Sequence, residues 1–192
     1  MAPGDPLSIL QESLRGAPII WKGDYPYFIH PISDGIPRMD PDVLRATRDL
    51  IVSSVDWSQV DLLVTVEAMG LPLLAAVGDA TGKPTVVIRK RSYGMEGETR
   101  VDVATGYSQS TVYINDIEPG ERIVIVDDVI STGGTLEPLL QQFEDMGVIL
   151  QDIVIAIEKG DGRERLNREK PHWPIRSLAR IDIIDGKVEI ID

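Results

Sequence analysis

Two adjacent carboxylates and a nearby segment of hydroxyl residues and glycines form the pattern with the clearest chemical meaning in this sequence. The carboxylates are Asp127 and Asp128, and the segment follows after two intervening apolar residues. Its members are Ser131, Thr132, Gly133, Gly134 and Thr135. Glycines let backbone amides approach an anion closely, and hydroxyl groups add donors, so the segment suits a phosphate. The carboxylates would repel that phosphate, so we expect them to accept hydrogen bonds from vicinal hydroxyls or to lie near a divalent cation.

The elements predicted around this pattern favour a ligand site. Residues 122–126 are a short apolar run typical of a buried strand, and a helix is predicted over about 135–146. In a parallel sheet, ligands bind beyond the carboxyl ends of the strands, and a helix N-terminus favours an anion. The structural alternative is that two glycines form only a turn and that an aspartate at a strand end caps a helix.

Similar apolar runs alternate with helical segments along the chain. Strands are predicted at 62–66, 85–88 and 153–157, and helices at 71–81 and after the Asp-Pro pairs at 5–6 and 40–41. This alternation predicts an α/β fold with a central parallel sheet flanked by helices and right-handed crossovers. Asp185-Gly186 lies between two apolar runs and indicates a C-terminal hairpin.

The chain is predicted to be a single domain over residues 1–192. Residues 1–40 form an N-terminal helix and an aromatic hood, and residues 60–160 form the core. Within that core, residues 90–110 are polar and without clear periodicity, so they predict a functional loop. The C-terminal hairpin occupies residues 176–192.

Composition excludes several classes of protein. The 192 residues include no cysteine and two histidines, which excludes disulfides, thiolate catalysis and Cys-type metal sites. The formal net charge of −12 disfavours general binding to nucleic acid. The longest apolar stretch, residues 62–77, is interrupted by Glu67 and Gly70, and no signal pattern opens the chain. We therefore expect a cytoplasmic protein with no membrane partner.

Two further segments follow predicted strands and could meet the first pattern. Glu67 and Ala68 come after the strand at 62–66, where a turn into a helix would present backbone amides to a phosphate. The alternative is an ordinary turn in which Glu67 caps the helix. Arg89 and Lys90 begin a three-residue basic run after the strand at 85–88. Such runs are usually solvated surface, although arginine is well suited to bidentate contacts with phosphate.

These segments together resemble the type I phosphoribosyltransferases. Two acids followed by Ser-Thr-Gly-Gly-Thr resemble the family's signature for binding phosphoribosyl pyrophosphate. The resemblance implies that Asp127 and Asp128 contact the ribose hydroxyls, and that residues 131–135 bind the 5′-phosphate. It also implies that the Glu67-Ala68 and Arg89-Lys90 segments bind pyrophosphate. Mg²⁺ is then expected as a cofactor held mainly by the substrate, with no direct ligation by the protein.

The N-terminal hood and the loop extend the resemblance over nearly the whole chain. Residues 28–37 and the Arg-Lys-Arg-x-Tyr-Gly run are similar to those of the archaeal hypoxanthine/guanine enzymes, which share the adenine phosphoribosyltransferase architecture. Phe28 then stacks on the purine, or alternatively belongs to the core. Residues 90–110 form a mobile lid, in which Tyr107 contacts the reaction centre or only packs. His30 is expected to be structural. Gly106 stands where the family has an acid before the tyrosine.

The resemblance implies transfer of 5-phosphoribose from phosphoribosyl pyrophosphate to hypoxanthine or guanine, giving IMP or GMP and pyrophosphate in purine salvage. One alternative is an adenine phosphoribosyltransferase that gives AMP. A second is a non-catalytic regulator that senses phosphoribosyl pyrophosphate, and a degenerate scaffold is a third, although the acidic pair and the phosphate segment are both intact. Analogy at the level of the fold implies a homodimer.

Overall fold

The computed structural model of the protein describes residues 4–23, 25–104 and 109–191. The helices are α1 Pro6–Arg15, α2 Pro31–Asp34, α3 Pro41–Ser54, α4 Gly70–Thr81, α5 Leu136–Asp145 and α6 Gly162–Glu169. The strands are β1 Ile19–Lys22, β2 Tyr25–Phe28, β3 Leu62–Val66, β4 Thr85–Ile88, β5 Thr99–Ala104, β6 Gln109–Ile114, β7 Arg122–Ile130, β8 Ile149–Lys159, β9 Ile175–Ile184 and β10 Lys187–Ile191. A short 3₁₀ helix covers Trp57–Gln59.

A six-stranded sheet forms the centre of the molecule, with the strand order β10–β9–β8–β7–β3–β4. Neighbouring strands from β9 to β4 pair in parallel, and β10 folds back antiparallel to β9. The turn between β9 and β10 contains Asp185 and Gly186, both with positive φ, as the predicted hairpin requires. The predicted α/β fold with a central parallel sheet is confirmed.

The first long helices begin where the Asp-Pro pairs predict. The carboxylate of Asp5 accepts a hydrogen bond from Ser8 N, and that of Asp40 accepts one from Asp42 N. Proline at the first helical position lacks the N–H that would otherwise be unpaired there. These caps set the starts of α1 and α3, which pack against each other beside the sheet.

Strand β7 lies at the centre of the sheet because both of its faces are apolar. Ile123 and Ile125 pack into a core that includes α5, whereas Val124 and Val126 pack into a second core that includes α1, α3 and α4. All four side chains are fully buried, and each such burial contributes roughly 1.5–3 kcal/mol. A strand with this composition holds whatever follows it in a fixed position.

The structure differs from the expected loop over residues 90–110. Strands β5 and β6 form an antiparallel pair that packs on the face of the sheet carrying α5. Val101 and Val103 are buried, while Arg100 and Asp102 between and beside them are exposed. This alternation with period two is the usual signal of a strand packed on one side, and it is visible in the sequence. Tyr107 lies outside the described residues.

In the part of the chain that the structure describes, no helix combines the length and the apolar character needed to cross a membrane.

Candidate active site

A cavity of about 580 Å³ opens at the carboxyl ends of β3, β7 and β8. It brings together most of the side chains that the sequence singled out. These lining residues are Phe28, Glu67, Ala68, Lys90, Asp127, Asp128, Ser131, Thr132, Gly133, Gly134 and Thr135. Arg89 stands behind this lining and pairs with Glu67. Ligands of parallel sheets bind at this edge, so the cavity is the candidate active site.

Residues 131–135, called here the phosphate loop, connect β7 to α5. Gly133 has a φ of 79°, a left-handed conformation that favours glycine. At Gly134 a Cβ atom would lie 2.3 Å from the carbonyl oxygen of Ala104, so β5 leaves no space for a side chain there. The Ala104 N–H also donates to Gly134 O at 3.1 Å. The backbone of the phosphate loop therefore lines the cavity, and at Gly134 it packs against the end of β5.

The two carboxylates lie within β7, which extends four residues beyond its predicted end. The N–H of Asp128 donates to Asp127 Oδ1 at 2.9 Å. Burial raises the pKa of Asp127, although a hydrogen bond from Asp128 and the charge of Lys90 oppose the rise. Burial also raises the pKa of Asp128 well above its usual range, and the charge of Asp127 adds to this effect. Hydrogen bonds from ligand hydroxyls, or a positive charge nearby, would stabilise the ionised form of such a buried pair.

Glu67 joins the segments that follow β3 and β4. Its carboxylate accepts a short hydrogen bond from the N–H of Lys90 and lies 2.9 Å from Nε of Arg89. The alternative interpretation of Glu67 as a helix cap is wrong, because Met69 occupies the N-cap of α4 and no side chain caps it. The Glu67-Ala68 peptide bond is cis. Glu67 thus holds the Arg89-Lys90 segment beside the backbone of the loop that follows β3.

Gly70 is required where this loop enters α4. A Cβ atom there would lie 1.8 Å from Oγ1 of Thr65, a fully buried side chain. Oγ1 of Thr65 donates to the carbonyl oxygen of Val126 at 2.6 Å. The loop after β3 is therefore pressed against the end of β7, beside the acidic pair.

An aromatic part of the cavity wall comes from the N-terminal hairpin β1–β2. Phe28 is only 4% exposed, and it both packs in the core and lines the cavity, so its two interpretations are compatible. The hydroxyl of Tyr25 lies 3.3 Å from Oγ of Ser131, the first residue of the phosphate loop. This contact links the hood to the phosphate loop and closes one side of the cavity.

Lys159 is a residue of the site that the sequence reasoning missed. It ends β8, it is 7% exposed, and its Nζ donates to the carbonyl oxygen of Pro26 at 2.5 Å. Nζ also lies 3.9 Å from the ring centroid of Tyr25. Burial would raise the pKa of Tyr25, but hydrogen bonds to Lys159 and Ser131 and the charge of Lys159 lower it. The signal available was a basic residue at the end of a strand that neighbours β7.

His30 lies outside the cavity lining and supports the hood from within the fold. Its Nδ1 accepts a hydrogen bond from the N–H of Ile32 at 3.2 Å, and its Nε2 lies 3.0 Å from Oγ of Ser13. Burial lowers its pKa to about 4, against the opposing charge of Asp34. The imidazole is therefore neutral near pH 7, and its contacts join α1 to the start of α2.

A parallel sheet that ends in a glycine-containing loop at a helix N-terminus, beside a buried acidic pair, is typical of enzymes that bind phosphorylated ligands. Residues 38–177 match the phosphoribosyl transferase domain, and the chain belongs to this family. The family that the sequence resembles is thereby confirmed.

Similar proteins match nearly the whole chain. The hypoxanthine/guanine phosphoribosyltransferase of Ferroglobus placidus is 50% identical over 97% of this chain and 98% of its own length. The enzyme of that name from Methanocaldococcus infernus is 48% identical over 94% of this chain and 98% of its own. The adenine phosphoribosyltransferase of Thermoanaerobacter pseudethanolicus has the same fold, with a TM-score of 0.74 and 23% identity over 91% of this chain and 99% of its own.

Proposed function

We propose that this protein is a purine salvage enzyme that transfers 5-phosphoribose from phosphoribosyl pyrophosphate to hypoxanthine or guanine, giving IMP or GMP and pyrophosphate. The observation that carries the proposal is that one cavity is lined by the phosphate loop, the acidic pair and aromatic side chains of the hood. Two relatives that share about half of their residues with this chain are named hypoxanthine/guanine phosphoribosyltransferase, and these names support the same substrates.

Different residues bind different groups of the donor, phosphoribosyl pyrophosphate. The phosphate loop binds the 5′-phosphate through backbone N–H groups and the hydroxyls of Ser131, Thr132 and Thr135. Asp127 and Asp128 accept hydrogen bonds from the ribose hydroxyls. The loop at Ala68 and the side chain of Lys90 bind the pyrophosphate, and Arg89, which pairs with Glu67 beside them, adds positive charge that offsets the charge of the ligand.

The reaction breaks the bond between C1 of the ribose and pyrophosphate, and a bond from C1 to a purine nitrogen forms. Positive charge develops on the sugar as the leaving group departs, so carboxylates near the ribose stabilise the transition state more than the ground state. Arg89 and Lys90 stabilise the negative charge on the departing pyrophosphate. The purine nitrogen that forms this bond releases its proton, which the basic oxygens of the departing pyrophosphate or water can accept. Exclusion of water by the strand pair β5–β6 protects the reactive sugar from hydrolysis.

Mg²⁺ fits the donor chemistry of this cavity. Carboxylate oxygens are its preferred protein ligands, and Asp127 and Asp128 both line the cavity. Within residues 4–23, 25–104 and 109–191, no three acidic or histidine side chains form a cluster able to hold a metal ion. We therefore propose that substrate oxygens hold most of its coordination shell, with the acidic pair beside it. When bound, Mg²⁺ supplies positive charge that stabilises pyrophosphate as a leaving group.

Lys159 favours a 6-oxopurine over adenine. An ammonium group has three N–H donors and no acceptor, and one of these donors is directed at Pro26. A remaining donor suits the carbonyl oxygen at C6 of hypoxanthine or guanine, whereas adenine presents an amino group there. The aromatic side chains beside Lys159 provide a stacking surface for either purine, so discrimination rests on the polar contact.

We further propose that the enzyme acts as a cytoplasmic homodimer without nucleic acid or membrane partners. The net charge of −12 opposes binding to phosphate polymers. Trp21 and Ile36 are 63% and 60% exposed, and a homodimer interface at this face would bury them.

Incubation of the protein with phosphoribosyl pyrophosphate, Mg²⁺ and one purine at a time tests the function directly. We expect chromatography to show IMP from hypoxanthine and GMP from guanine, with pyrophosphate released in equal amount. AMP as the main product would establish the adenine alternative instead. Binding of the donor by calorimetry without formation of any nucleotide would support the non-catalytic regulator.

A further inference from the structure

Helix α6 lies against the phosphate loop on the side away from the cavity. Gly162 begins the helix, and a Cβ atom there would lie 2.3 Å from Ser131 O and 2.6 Å from the carbonyl carbon of Thr132. Leu166 fills the space behind Gly133, at 2.9 Å from the position of a Cβ on that glycine. The loop residues line the cavity, whereas these α6 residues do not. The loop is thus a single layer of backbone between α6 and the cavity.

Two consecutive carbonyl groups of the loop are held by α6. The N–H of Gly162 donates to Ser131 O at 2.9 Å, and Nη2 of Arg165 donates to Thr132 O at 3.2 Å. In a trans peptide unit the N–H points opposite to the C=O of the same unit. Fixing the carbonyls of Ser131 and Thr132 toward α6 therefore turns the N–H groups of Thr132 and Gly133 toward the cavity.

Arg165 contributes through the direction of its hydrogen bonds more than through net charge. Its Nη2 also lies 2.7 Å from a carboxylate oxygen of Glu137, and its Nη1 lies 2.8 Å from one of Glu169. Two carboxylates offset the guanidinium charge, so little positive potential from this side chain extends into the cavity. What remains specific to Arg165 is the planar fork of donors that joins α6, the loop and the first turn of α5.

The helix that carries Arg165 is itself fixed to the central sheet. The carboxylate of Glu158, fully buried in β8, accepts hydrogen bonds from Arg163 Nε and Ser177 Oγ, each at 2.5 Å. Arg180 of β9 pairs with Glu164 at 2.6 Å. These contacts anchor α6 to β8 and β9, so that the helix can resist movement of the loop.

We propose that Arg165 is a positioning residue, which with the N–H of Gly162 holds the loop carbonyls away from the cavity and so directs the loop N–H groups at the 5′-phosphate of the donor. This role rests on the proposed function, because it assigns that phosphate to the loop. Without the hydrogen bond from Arg165, the peptide unit joining Thr132 and Gly133 can rotate and present its carbonyl oxygen, which repels a phosphate.

The test compares Arg165→Met with Arg168→Met, the same substitution at an exposed arginine on the same helix. Steady-state kinetics with each substrate varied gives KM for the donor and KM for the purine, and calorimetry gives Kd for ribose 5-phosphate. For Arg165→Met we expect KM for the donor and Kd for ribose 5-phosphate to rise about tenfold, the size of effect typical of losing a hydrogen bond from a charged group. KM for the purine should stay within about twofold, as should every constant of Arg168→Met.

Thermal unfolding separates positioning from a general loss of structure. We expect the Tm of Arg165→Met to stay close to that of the native protein, because ion pairs near the surface contribute little to stability. Arg165→Lys keeps one donor group and should fall between the native protein and Arg165→Met; it also serves if the methionine variant fails to fold. Unchanged Kd for ribose 5-phosphate in both variants would overturn the proposal, as would a parallel rise of both KM values with a lowered Tm.

Failure of the proposed function leaves this comparison intact. If the native protein binds ribose 5-phosphate but forms no nucleotide, the enzymatic proposal fails. The Kd values for ribose 5-phosphate of the native protein and of Arg165→Met still decide the role of Arg165.

Discussion

Two regions of the cavity wall, called here the phosphate end and the base end, are built in different ways. The phosphate end is one continuous segment, residues 127–135, and it presents mainly backbone groups and two carboxylates to the cavity. The base end combines the hairpin β1–β2 with Lys159. The Nζ of Lys159 donates to the carbonyl oxygen of Pro26, which is 133 residues earlier in the chain. A phosphate is the same in every donor, so a local backbone loop suffices to bind it. A purine is recognised by the pattern of donors and acceptors at its edge, which side chains from distant segments must match.

Support for the two ends differs as well. The phosphate loop is held between β5 and α6, where side chains at Gly134 and Gly162 would overlap backbone atoms. The hood packs Phe28 into the core and adds a few polar contacts, among them the Tyr25–Ser131 pair and the buried imidazole of His30. The comparison predicts that changes at the phosphate end alter turnover or donor binding, and that changes at the base end alter purine choice or local stability.

The largest effect is expected for Asp128→Asn. Loss of a carboxylate near the developing positive charge should lower kcat by about 10³-fold, at the upper end of what one electrostatic contact contributes. Because burial raises the pKa of Asp128, the ionised form destabilises the fold at neutral pH, so asparagine should leave the Tm unchanged or higher. Steady-state kinetics and thermal unfolding check both parts. Asp145→Asn, at an exposed position at the end of α5, is the control, and native turnover in Asp128→Asn would contradict the role assigned.

A smaller effect is expected for acid stability at the hood. The pKa of His30 is lowered to about 4 from an ordinary value near 6.5, so the unfolded chain binds a proton in this range before the folded protein does. The free energy of unfolding contributed by neutral His30 is present above pH 6.5 and falls by up to ~3 kcal/mol as the pH drops to about 4.

Urea unfolding of the native protein and His30→Asn, at several pH values between 4 and 7.5, measures this contribution. Asparagine keeps the N-cap of α2 but does not titrate, so the difference between the two proteins should shrink as the pH falls. The contributions of carboxyl groups are common to both and cancel. A difference that is constant across the range would show that His30 titrates normally.

The smallest effect is expected for Lys159→Met. Removal of the donor should lower the ratio of kcat/KM for hypoxanthine to that for adenine by about 30-fold, since an oxygen at C6 then has no partner. Turnover with saturating donor should change less than in Asp128→Asn. Lys187→Met, at an exposed lysine of β10, is the control. An unchanged ratio of kcat/KM would remove Lys159 from purine recognition and place discrimination in backbone groups.

Much of the fold could be predicted because its signals are local. Capping by Asp5 and Asp40, the apolar runs of the central strands and the Asp185-Gly186 turn each depend on a few neighbouring residues. The strand pair β5–β6 was missed because its alternation is short and lies in a polar segment rich in glycine. The end of β7 was placed too early because Asp127 and Asp128 interrupt its apolar run, and the end of β8 because its last residues, Glu158 and Lys159, are polar. Both ends remain in the sheet through pairing with neighbouring strands.

The sequence by itself was enough to identify the phosphate end, because its carboxylates, hydroxyls and glycines are contiguous residues. The glycines permit the backbone conformation that this segment needs. Tertiary structure alone decided the base end and the contacts behind the loop. Lys159, Tyr25 and Arg165 are ordinary residues in the sequence, and each acquires its role from a partner far along the chain. Parallel strands bring such partners to one edge of the sheet, and which side chains meet there depends on strand order, which no local pattern encodes.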